Sequence, residues 1–224
     1  MRINSDFSKR AVIRPGDVDW VPSPAAGVER MMLDRIGDEV ARATTIVRYA
    51  PNSSFPRHSH DGGEEYIVLD GTFSDESGDY TAGTYVRNPI GSSHSPFTKD
   101  GATILVKLHQ FDVDDKEQFS IDTKAQRFVP GPSPGLSVLS LHSFGTEHTA
   151  LVKWEPGSQH GEHRHWGGEE IFVLDGVFSD EHGDYPKGTW LRNPHLSTHK
   201  PFSKEGALIL VKTGHLPQSN ETEQ

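Results

Sequence analysis

The sequence predicts an all-β protein built from two tandem copies of one small barrel. Three observations predict it: an internal repeat, short β-prone runs separated by hairpin turns, and a stretch rich in proline and glycine between the copies. Residues 58–107 and 163–212 are identical at 33 of 50 aligned positions, and every match is displaced by 105 residues. Identity this high between two halves of a chain implies the same fold for both.

Each copy is predicted to consist of short strands. Runs such as Thr44–Tyr49, Glu65–Leu69 and Thr103–Leu108 are rich in β-branched and aromatic residues, and each has a partner in the second half. The Asp70-Gly71 pair follows one of these runs and indicates a tight hairpin, because both turn residues must accept a positive φ. No helical period extends beyond two turns, so the sequence favours a sandwich or a small barrel.

The repeat and the composition together predict the domain boundaries. We predict an extended N-terminal arm over residues 1–30, a first barrel over 31–112, a linker over 113–135 and a second barrel over 136–224. Several prolines lie in the arm, and the linker contains the run Pro-Gly-Pro-Ser-Pro-Gly. Both features are typical of segments that connect domains.

Composition excludes several classes of site and partner. Among 224 residues there is no cysteine, which excludes disulfides, thiolate zinc sites, iron–sulfur clusters and cysteine nucleophiles. A net charge of −10 argues against a nucleic-acid-binding surface, which would be basic. No apolar run approaches the roughly 20 residues of a membrane helix, and the N-terminus lacks the apolar core of a signal peptide. We therefore expect a cytoplasmic protein with no membrane or nucleic-acid partner.

The residues that carry chemistry are a repeated cluster of histidines and one glutamate. The cluster comprises His58, His60, Glu64 and His94, and its copy comprises His163, His165, Glu169 and His199. Residues two apart in a strand point to the same face, so the first two histidines of each set aim together. Three imidazoles and a carboxylate are a metal-binding set. We predict one divalent metal ion in each copy, with zinc preferred and iron, manganese or nickel as alternatives.

The spacing of these ligands is similar to the two motifs of the cupin superfamily. The pattern H-x-H-x3-E-x6-G over residues 58–71 resembles the first motif, and G-x5-P-x-G-x2-H over residues 83–94 resembles the second. The second half repeats both patterns over 163–176 and 188–199, except that Leu196 replaces the last glycine. The resemblance implies a bicupin, with two jelly-roll barrels and a metal inside each. We expect the turn that contains Leu196 to differ slightly.

Further motifs resemble one branch of that superfamily, the cupin domain of ChrR-type anti-sigma factors. They are G-G-E-E, D-G-x-F-S-D-E-x-G-D-Y and R-N-P, and they occur in both halves. The resemblance implies zinc on the eight ligands named above. It also implies a regulator that releases an extracytoplasmic-function sigma factor under oxidative stress. In that family the sigma factor binds a separate N-terminal helical domain with cysteine ligands, so a chain without cysteine is not expected to use that route.

The two halves differ most at positions close to the predicted ligands. The differing pairs are Phe55 and His160, Asp61 and Trp166, Ile90 and His195, and Gly91 and Leu196. If these residues line the pockets inside the barrels, the second pocket offers more imidazole and aromatic surface. It then becomes the better candidate for catalysis. We also interpret Arg87 and Arg192, which precede Asn-Pro in both halves, as salt-bridge partners of the Ser-Asp-Glu hairpin.

Three functions are compatible with such a site, because the same ligand set serves all of them. The first is a metal-binding sensor of stress, of an oxidant or of a small molecule. The alternative is a metal-dependent dioxygenase that acts on small diketone or phenolic compounds. In the third, the metal only stabilises each barrel. No further acid, base or nucleophile is assigned from the sequence, so the question of catalysis stays open. A homodimer formed through sheet edges is compatible with each of them.

Overall fold

A computed structural model describes residues 1–217 as an almost entirely β structure. The strands of the first half are β1 (Arg2–Ile3), β2 (Ala11–Ile13), β3 (Val21–Pro22), β4 (Val28–Gly37), β5 (Ala41–Tyr49), β6 (His58–Ser59), β7 (Glu64–Asp75), β8 (Gly78–Thr81), β9 (Thr84–Asn88), β10 (Ser93–His94), β11 (Ala102–Leu108) and β12 (Phe119–Asp122). Those of the second half are β13 (Val129–Pro130), β14 (Leu136–Phe144), β15 (Glu147–Trp154), β16 (Ser158–Gln159), β17 (His163–Arg164), β18 (Glu169–Asp180), β19 (Gly183–Pro186), β20 (Trp190–Asn193), β21 (Thr198–His199), β22 (Phe202–Ser203) and β23 (Ala207–Thr213). Within the described residues a 3₁₀ turn at Thr123–Ala125 is the one helical element, and no helix there is long and apolar enough to cross a membrane.

The chain divides into two compact units. The first contains Met1–Ser5 and Val18–Gln126, and the second contains Asp6–Asp17 and the chain from Arg127 onward. The main sheet of the first unit runs in the order β1-β4-β5-β11-β7-β9-β12, and that of the second in the order β13-β14-β15-β23-β18-β20-β2. Each unit also has a two-stranded sheet, β6 with β10 and β17 with β21. These sheets confirm the predicted all-β fold and its duplication.

Alternation along the strands builds a separate apolar core in each unit. In the first unit, Tyr66 and Val68 of β7 lie in one buried cluster with Ile104 and Val106 of β11. Residues two apart on a strand share a face, so this pattern directs one side of each strand inward. The core of the second unit consists of Leu136, Trp154, Ile171, Val173, Phe178, Tyr185, Leu191, Ala207 and Ile209.

One strand of each main sheet comes from the segment that precedes the other unit in the sequence. β2 precedes the first unit but pairs with β20, where Ala11 lies opposite Arg192. β12 precedes the second unit but pairs with β9, where Phe119 lies opposite Arg87. The two pairings are equivalent, so the strands have been exchanged reciprocally, as they are between the subunits of a domain-swapped dimer.

These exchanged strands lie in the segments that the sequence indicates as an arm (residues 1–30) and a linker (residues 113–135). The repeat in fact extends through both segments, because Val21 and Val129 begin equivalent edge strands, β3 and β13. Their separation is 108 residues rather than 105, since the β4–β5 hairpin is three residues longer than the β14–β15 hairpin. An alignment at a fixed offset therefore misses them. Prolines within such short edge strands hide them further.

The glycine that ends the first ligand motif is required by its backbone and by a close neighbour. Gly71 has φ +72°, and a Cβ placed there would lie 2.1 Å from the carbonyl oxygen of Gly101. Gly91 also has a positive φ, +89°, but a Cβ there would have no atom within 4 Å. The first position excludes a side chain sterically, whereas the second only disfavours one conformationally.

We predict that Gly71→Ala destabilises the protein far more than Gly91→Ala. Both substitutions place alanine in the left-handed region, at a cost of about 1 kcal/mol. Gly71→Ala adds a clash with backbone that cannot move away, and should lower the free energy of unfolding by more than about 3 kcal/mol. Urea unfolding of the two variants measures the difference. Equal losses would show that the contact with Gly101 has no energetic consequence.

Candidate metal centres

The structure brings together the four predicted ligands of the first half. His58 and His94 lie opposite each other in the β6–β10 pair, while His60 and Glu64 flank the turn that leads into β7. The three imidazole centroids are 4.7 to 5.1 Å apart. Glu64 Oε1 lies 3.8 Å from His60 Nε2 and 3.6 Å from His94 Nε2. One atom from each residue can therefore reach a common point, which we call the first centre.

The second half repeats this arrangement as the second centre. His163 lies opposite His199 in the β17–β21 pair, and His165 and Glu169 flank the following turn. The three imidazole centroids are 4.6 to 4.8 Å apart. Glu169 Oε2 lies 3.5 Å from His165 Nε2 and 3.6 Å from His199 Nε2. In both clusters the candidate ligand atoms all lie within 4.8 Å of one another.

The buried imidazole nitrogens at both centres fit a metal ion. The Nε2 atoms of His60, His94, His165 and His199 are buried and have no hydrogen-bond partner. A buried polar atom without a partner costs about 1–3 kcal/mol, and each centre gathers two of them beside a carboxylate. The remaining histidines have Nδ1 near the backbone carbonyl two residues earlier, His58 at 3.1 Å and His163 at 3.0 Å, which leaves Nε2 for the centre. A divalent cation would satisfy all of these atoms together.

Burial keeps an imidazole of each centre in the neutral form that a metal ligand needs, and it acts in the opposite direction on the glutamate of the first centre. Loss of solvation, followed by the nearby rings of His94 and His58, lowers the pKa of His60 to about 3. Burial likewise lowers the pKa of His165 in the second centre to about 4. Both rings are therefore neutral near pH 7 and have a free lone pair for a metal. Burial raises the pKa of Glu64 to about 7, although a hydrogen bond from Asn88 opposes the shift.

Asparagine and aspartate side chains behind the ligands hold them in place. Asn88 Nδ2 donates to Glu64 Oε1 at 3.1 Å, and Asp75 Oδ2 lies 3.1 Å from Nδ1 of His94. A carboxylate on the far nitrogen of a ligating histidine fixes its orientation and raises its basicity. The equivalent contacts in the second centre are Asn193 to Glu169 at 2.9 Å and Asp180 to His199 at 3.6 Å.

Sequence reasoning missed these supporting residues, although both motifs that contain them are repeated. Asp75 belongs to Ser-Asp-Glu and Asn88 to Arg-Asn-Pro, and their identity in both halves was a usable signal. The interpretation of Arg87 as a partner of the Ser-Asp-Glu hairpin is wrong. Its guanidinium bonds Glu65 at 2.7 Å and Asp115 at 2.5 Å. The hairpin carboxylate of Asp75 faces His94 instead, because Asp75 lies at the far end of β7 from Glu65, which is the residue opposite Arg87.

An apolar cavity opens onto the first centre. Its volume is about 310 Å³, and its walls are Tyr49, Phe55, Pro56, Phe73 and Pro96 together with the ligands His58, Glu64 and His94. The cavity is of the size that holds small organic ligands. Because three of the four ligand residues form part of its wall, a molecule inside it would lie directly beside a bound metal.

Of the positions at which the halves differ, one brings a new polar ring to a ligand. His160 replaces Phe55, and its ring centroid lies 4.6 Å from that of His163. Trp166, in contrast, is 61% exposed and packs edge-on against His195 at 4.9 Å. The expectation of a more imidazole-rich second pocket is therefore supported by His160, whereas Trp166 presents its ring to solvent.

The turn that contains Leu196 retains the geometry of its glycine counterpart. Leu196 has φ +63°, and its N–H donates to the carbonyl of His165 at 2.9 Å. Gly91 adopts φ +89° and donates to His60 at 3.1 Å. The turn therefore differs only slightly, as expected: its hydrogen bond is kept and φ changes from +89° to +63°. Leucine is accommodated because the space around the turn is open, although the left-handed conformation costs about 1–2 kcal/mol.

A family model described as the ChrR cupin-like domain matches the chain twice, over residues 8–112 and 116–217. The chain belongs to the ChrR cupin-like family. Two matches over nearly the whole described chain confirm the predicted bicupin architecture. No curated protein matches the chain by sequence.

Solved structures share the fold at low sequence identity. A candidate dioxygenase from Nostoc punctiforme has a TM-score of 0.73 and 16% identity, covering 98% of this chain and 84% of its own. The Escherichia coli protein YlbA has a TM-score of 0.69 and 15% identity, covering 96% and 94%. Oxalate decarboxylase of Bacillus subtilis, described with Mn(II) centres, has a TM-score of 0.61 and 15% identity, covering 93% and 78%. These likenesses establish the cupin fold of both barrels.

We predict that His94→Ala and His199→Ala each remove about one metal ion per chain. Each variant deletes one ligand of a single centre, so the other centre should keep its metal. Elemental analysis of the purified proteins, expressed as moles per chain, measures this. His182→Ala, which removes a half-exposed histidine outside both clusters, is the control and should keep two. Retention of two metals in the double variant would refute the ligand assignment.

We predict that metal binding at the first centre weakens as the pH falls below about 7. The pKa of Glu64 is about 7 in the metal-free protein, so below that value a metal must displace its proton. Calorimetry of His199→Ala at about pH 6, in two buffers of different ionisation enthalpy, should report about one proton released per metal ion. Glu64→Gln should bind more weakly and release no proton. Release that is independent of Glu64 would contradict this account.

Proposed function

We propose that this protein is a metal-dependent oxygenase whose first centre acts on a small, largely apolar compound such as a diketone or a phenol. The observation that carries the proposal is the cavity that adjoins three of the four ligands. A metal with a purely structural role needs no such opening, since structural sites are usually closed by protein ligands.

The ligand set favours a metal with open coordination positions. Three imidazoles and one carboxylate would occupy four positions of a bound metal, and three of these ligands, His58, Glu64 and His94, line the cavity. Bound iron, manganese or nickel would supply a site for oxygen chemistry, and zinc a Lewis acid. We favour iron for catalysis, because nitrogen and oxygen ligands without thiolate suit it.

The protein's own residues would bind the substrate and keep water away from it. Tyr49, Phe55 and Phe73 form aromatic walls, and Tyr49 packs against both phenylalanines at 5.7 and 4.9 Å. These rings would contact the apolar part of a substrate while its oxygen atoms faced the ligands. Within the wall, Glu64 and the two histidines are among the polar groups that would orient it.

A second candidate function is sensing, and the family match favours it. In this alternative the metal is zinc, and the output is a contact with another protein, with a sigma factor as the partner that the family suggests. The same cavity would then hold the small molecule or the oxidant that is sensed. The two candidates differ in metal identity and in oxygen consumption, which one set of measurements separates.

The test is substrate-dependent oxygen uptake by the iron-loaded protein on a panel of small diketones and phenols. We expect uptake that His94→Ala abolishes and His199→Ala retains. Phe55→Ser should raise the KM about tenfold through loss of apolar contact, with two metals still bound. Phe97→Ser is the matched control, because its ring is exposed and lies outside the cavity wall. Zinc at about two per chain, with no uptake on any compound, would exclude the oxygenase and favour the sensor.

A further inference from the structure

The two centres have the same ligands but different groups behind them. In the second unit, Arg10 lies just before β2 and reaches the residues that support the ligands. Its Nη2 bonds Asp180 Oδ2 at 2.8 Å, and its Nε bonds Asn193 Oδ1 at 2.9 Å. These are the residues that face His199 and Glu169. One guanidinium therefore contacts both supports of the second centre.

The equivalent residue of the first unit is neutral. Ala11 and Phe119 occupy the same register opposite Arg192 and Arg87, so Gln118 stands where the second unit has Arg10. Gln118 Nε2 donates to Asn88 Oδ1 at 3.3 Å, and so keeps one of the contacts without the charge. At the first centre, the charges of a divalent metal, the ligand glutamate and the supporting aspartate would sum to zero. The arginine gives the second centre one additional positive charge.

The contact between the supporting aspartate and the ligand histidine also differs between the centres. Asp180 Oδ2 lies 3.6 Å from His199 Nδ1, whereas the equivalent oxygen of Asp75 lies 3.1 Å from His94. Asp180 Oδ2 is bonded by Arg10 instead, whereas the tyrosine hydroxyl on Oδ1 is common to both centres, with Tyr185 at 2.7 Å and Tyr80 at 3.1 Å. The aspartate behind the second centre therefore lies between the ligand histidine and the arginine, whereas Asp75 contacts His94 and the hydroxyl of Tyr80.

A second difference lies at the position of Phe55, which lines the cavity of the first centre, and is independent of the first difference. In the first unit, Ala25 and Phe55 both pack against the apolar core. The equivalent residues of the second unit are Ser133 and His160, and Ser133 Oγ lies 2.6 Å from His160 Nδ1. Two apolar residues of the first unit thus correspond to a hydrogen-bonded pair in the second unit. The serine occupies Nδ1, which leaves Nε2 of His160 as the ring atom available to a bound molecule.

We propose that the second centre binds a small anion, such as a carboxylate, on its metal, with His160 as a hydrogen-bonding residue and Arg10 as a positioning and charge-compensating residue. This inference rests on the metal that the proposed function assigns to each centre. An anion is attracted by the additional positive charge and finds the polar ring of His160 beside the ligand His163. The first centre, neutral in sum and walled by Phe55, takes the apolar compound instead. The duplicated ligand sets therefore serve two chemical classes of ligand.

The test is titration of the full chain, loaded with two Co²⁺ ions, with sodium azide as a small anionic probe. The visible cobalt spectrum should report one equivalent of azide bound at least about tenfold more tightly than any second equivalent. Arg10→Gln combined with His160→Phe should weaken that step at least about tenfold and keep two Co²⁺ bound. Pyridine, a neutral probe, should bind with similar affinity in both proteins.

A reciprocal variant tests the same point without altering the second unit. Gln118→Arg combined with Phe55→His and Ala25→Ser should create a second tight equivalent of azide. Equal azide affinity at the two centres of the unmodified protein would overturn the inference, as would an unchanged titration in either variant. A cobalt spectrum altered by His160→Phe before azide is added would instead make His160 a metal ligand and overturn its proposed role. Failure of the protein to bind Co²⁺ would refute the proposed function itself, whereas oxygen uptake without azide selectivity would refute only this inference.

Discussion

The structure of each barrel depends on a group of buried ligand atoms that the protein itself does not satisfy. Imidazole nitrogens of His60 and His94 converge on Glu64 in the first unit without hydrogen-bond partners. Burying such atoms is unfavourable unless something binds them. The pairing of β6 with β10, the asparagine behind the glutamate and the aspartate behind the histidine all maintain this convergence. The apolar core then acts as a rigid frame for an arrangement that a bound cation would stabilise.

Much of this could be predicted from the sequence, because the repeat acts as its own alignment. Eight ligand positions agree in spacing, and the strands between them carry clear turn signals. Arg10 and Ser133 were harder to find, since they lie in segments in which the offset between the two repeats is 108 residues rather than 105. Arg87 was misassigned for a different reason. The motifs alone do not reveal that Glu65, rather than Asp75, lies opposite Arg87 in the sheet.

The reciprocal exchange of β2 and β12 explains how the two centres came to differ. Each centre is supported by a segment that precedes the other unit in the sequence. Arg10 and Gln118 therefore lie far in the sequence from the ligands whose supports they contact. Substitutions at these two positions leave both ligand motifs intact. A duplicated chain can change the charge around one metal in this way while the ligand geometry stays the same. Arg10 and β2, which lie within the segment predicted as an extended arm, accordingly belong to the second unit and lie beside the supports of its centre.

Similarity of fold does not reveal such differences. Structures that share about 15% identity with this chain superimpose on both barrels, yet charge and cavity polarity depend on a few residues behind and above the ligands. Replacing Phe55 by histidine alone would bury a ring nitrogen without a partner, which is unfavourable. The accompanying replacement of Ala25 by serine provides that partner, as the 2.6 Å contact between Ser133 and His160 demonstrates. The two changes are physically coupled, and together they place a hydrogen-bonded polar pair beside His163 of the second centre.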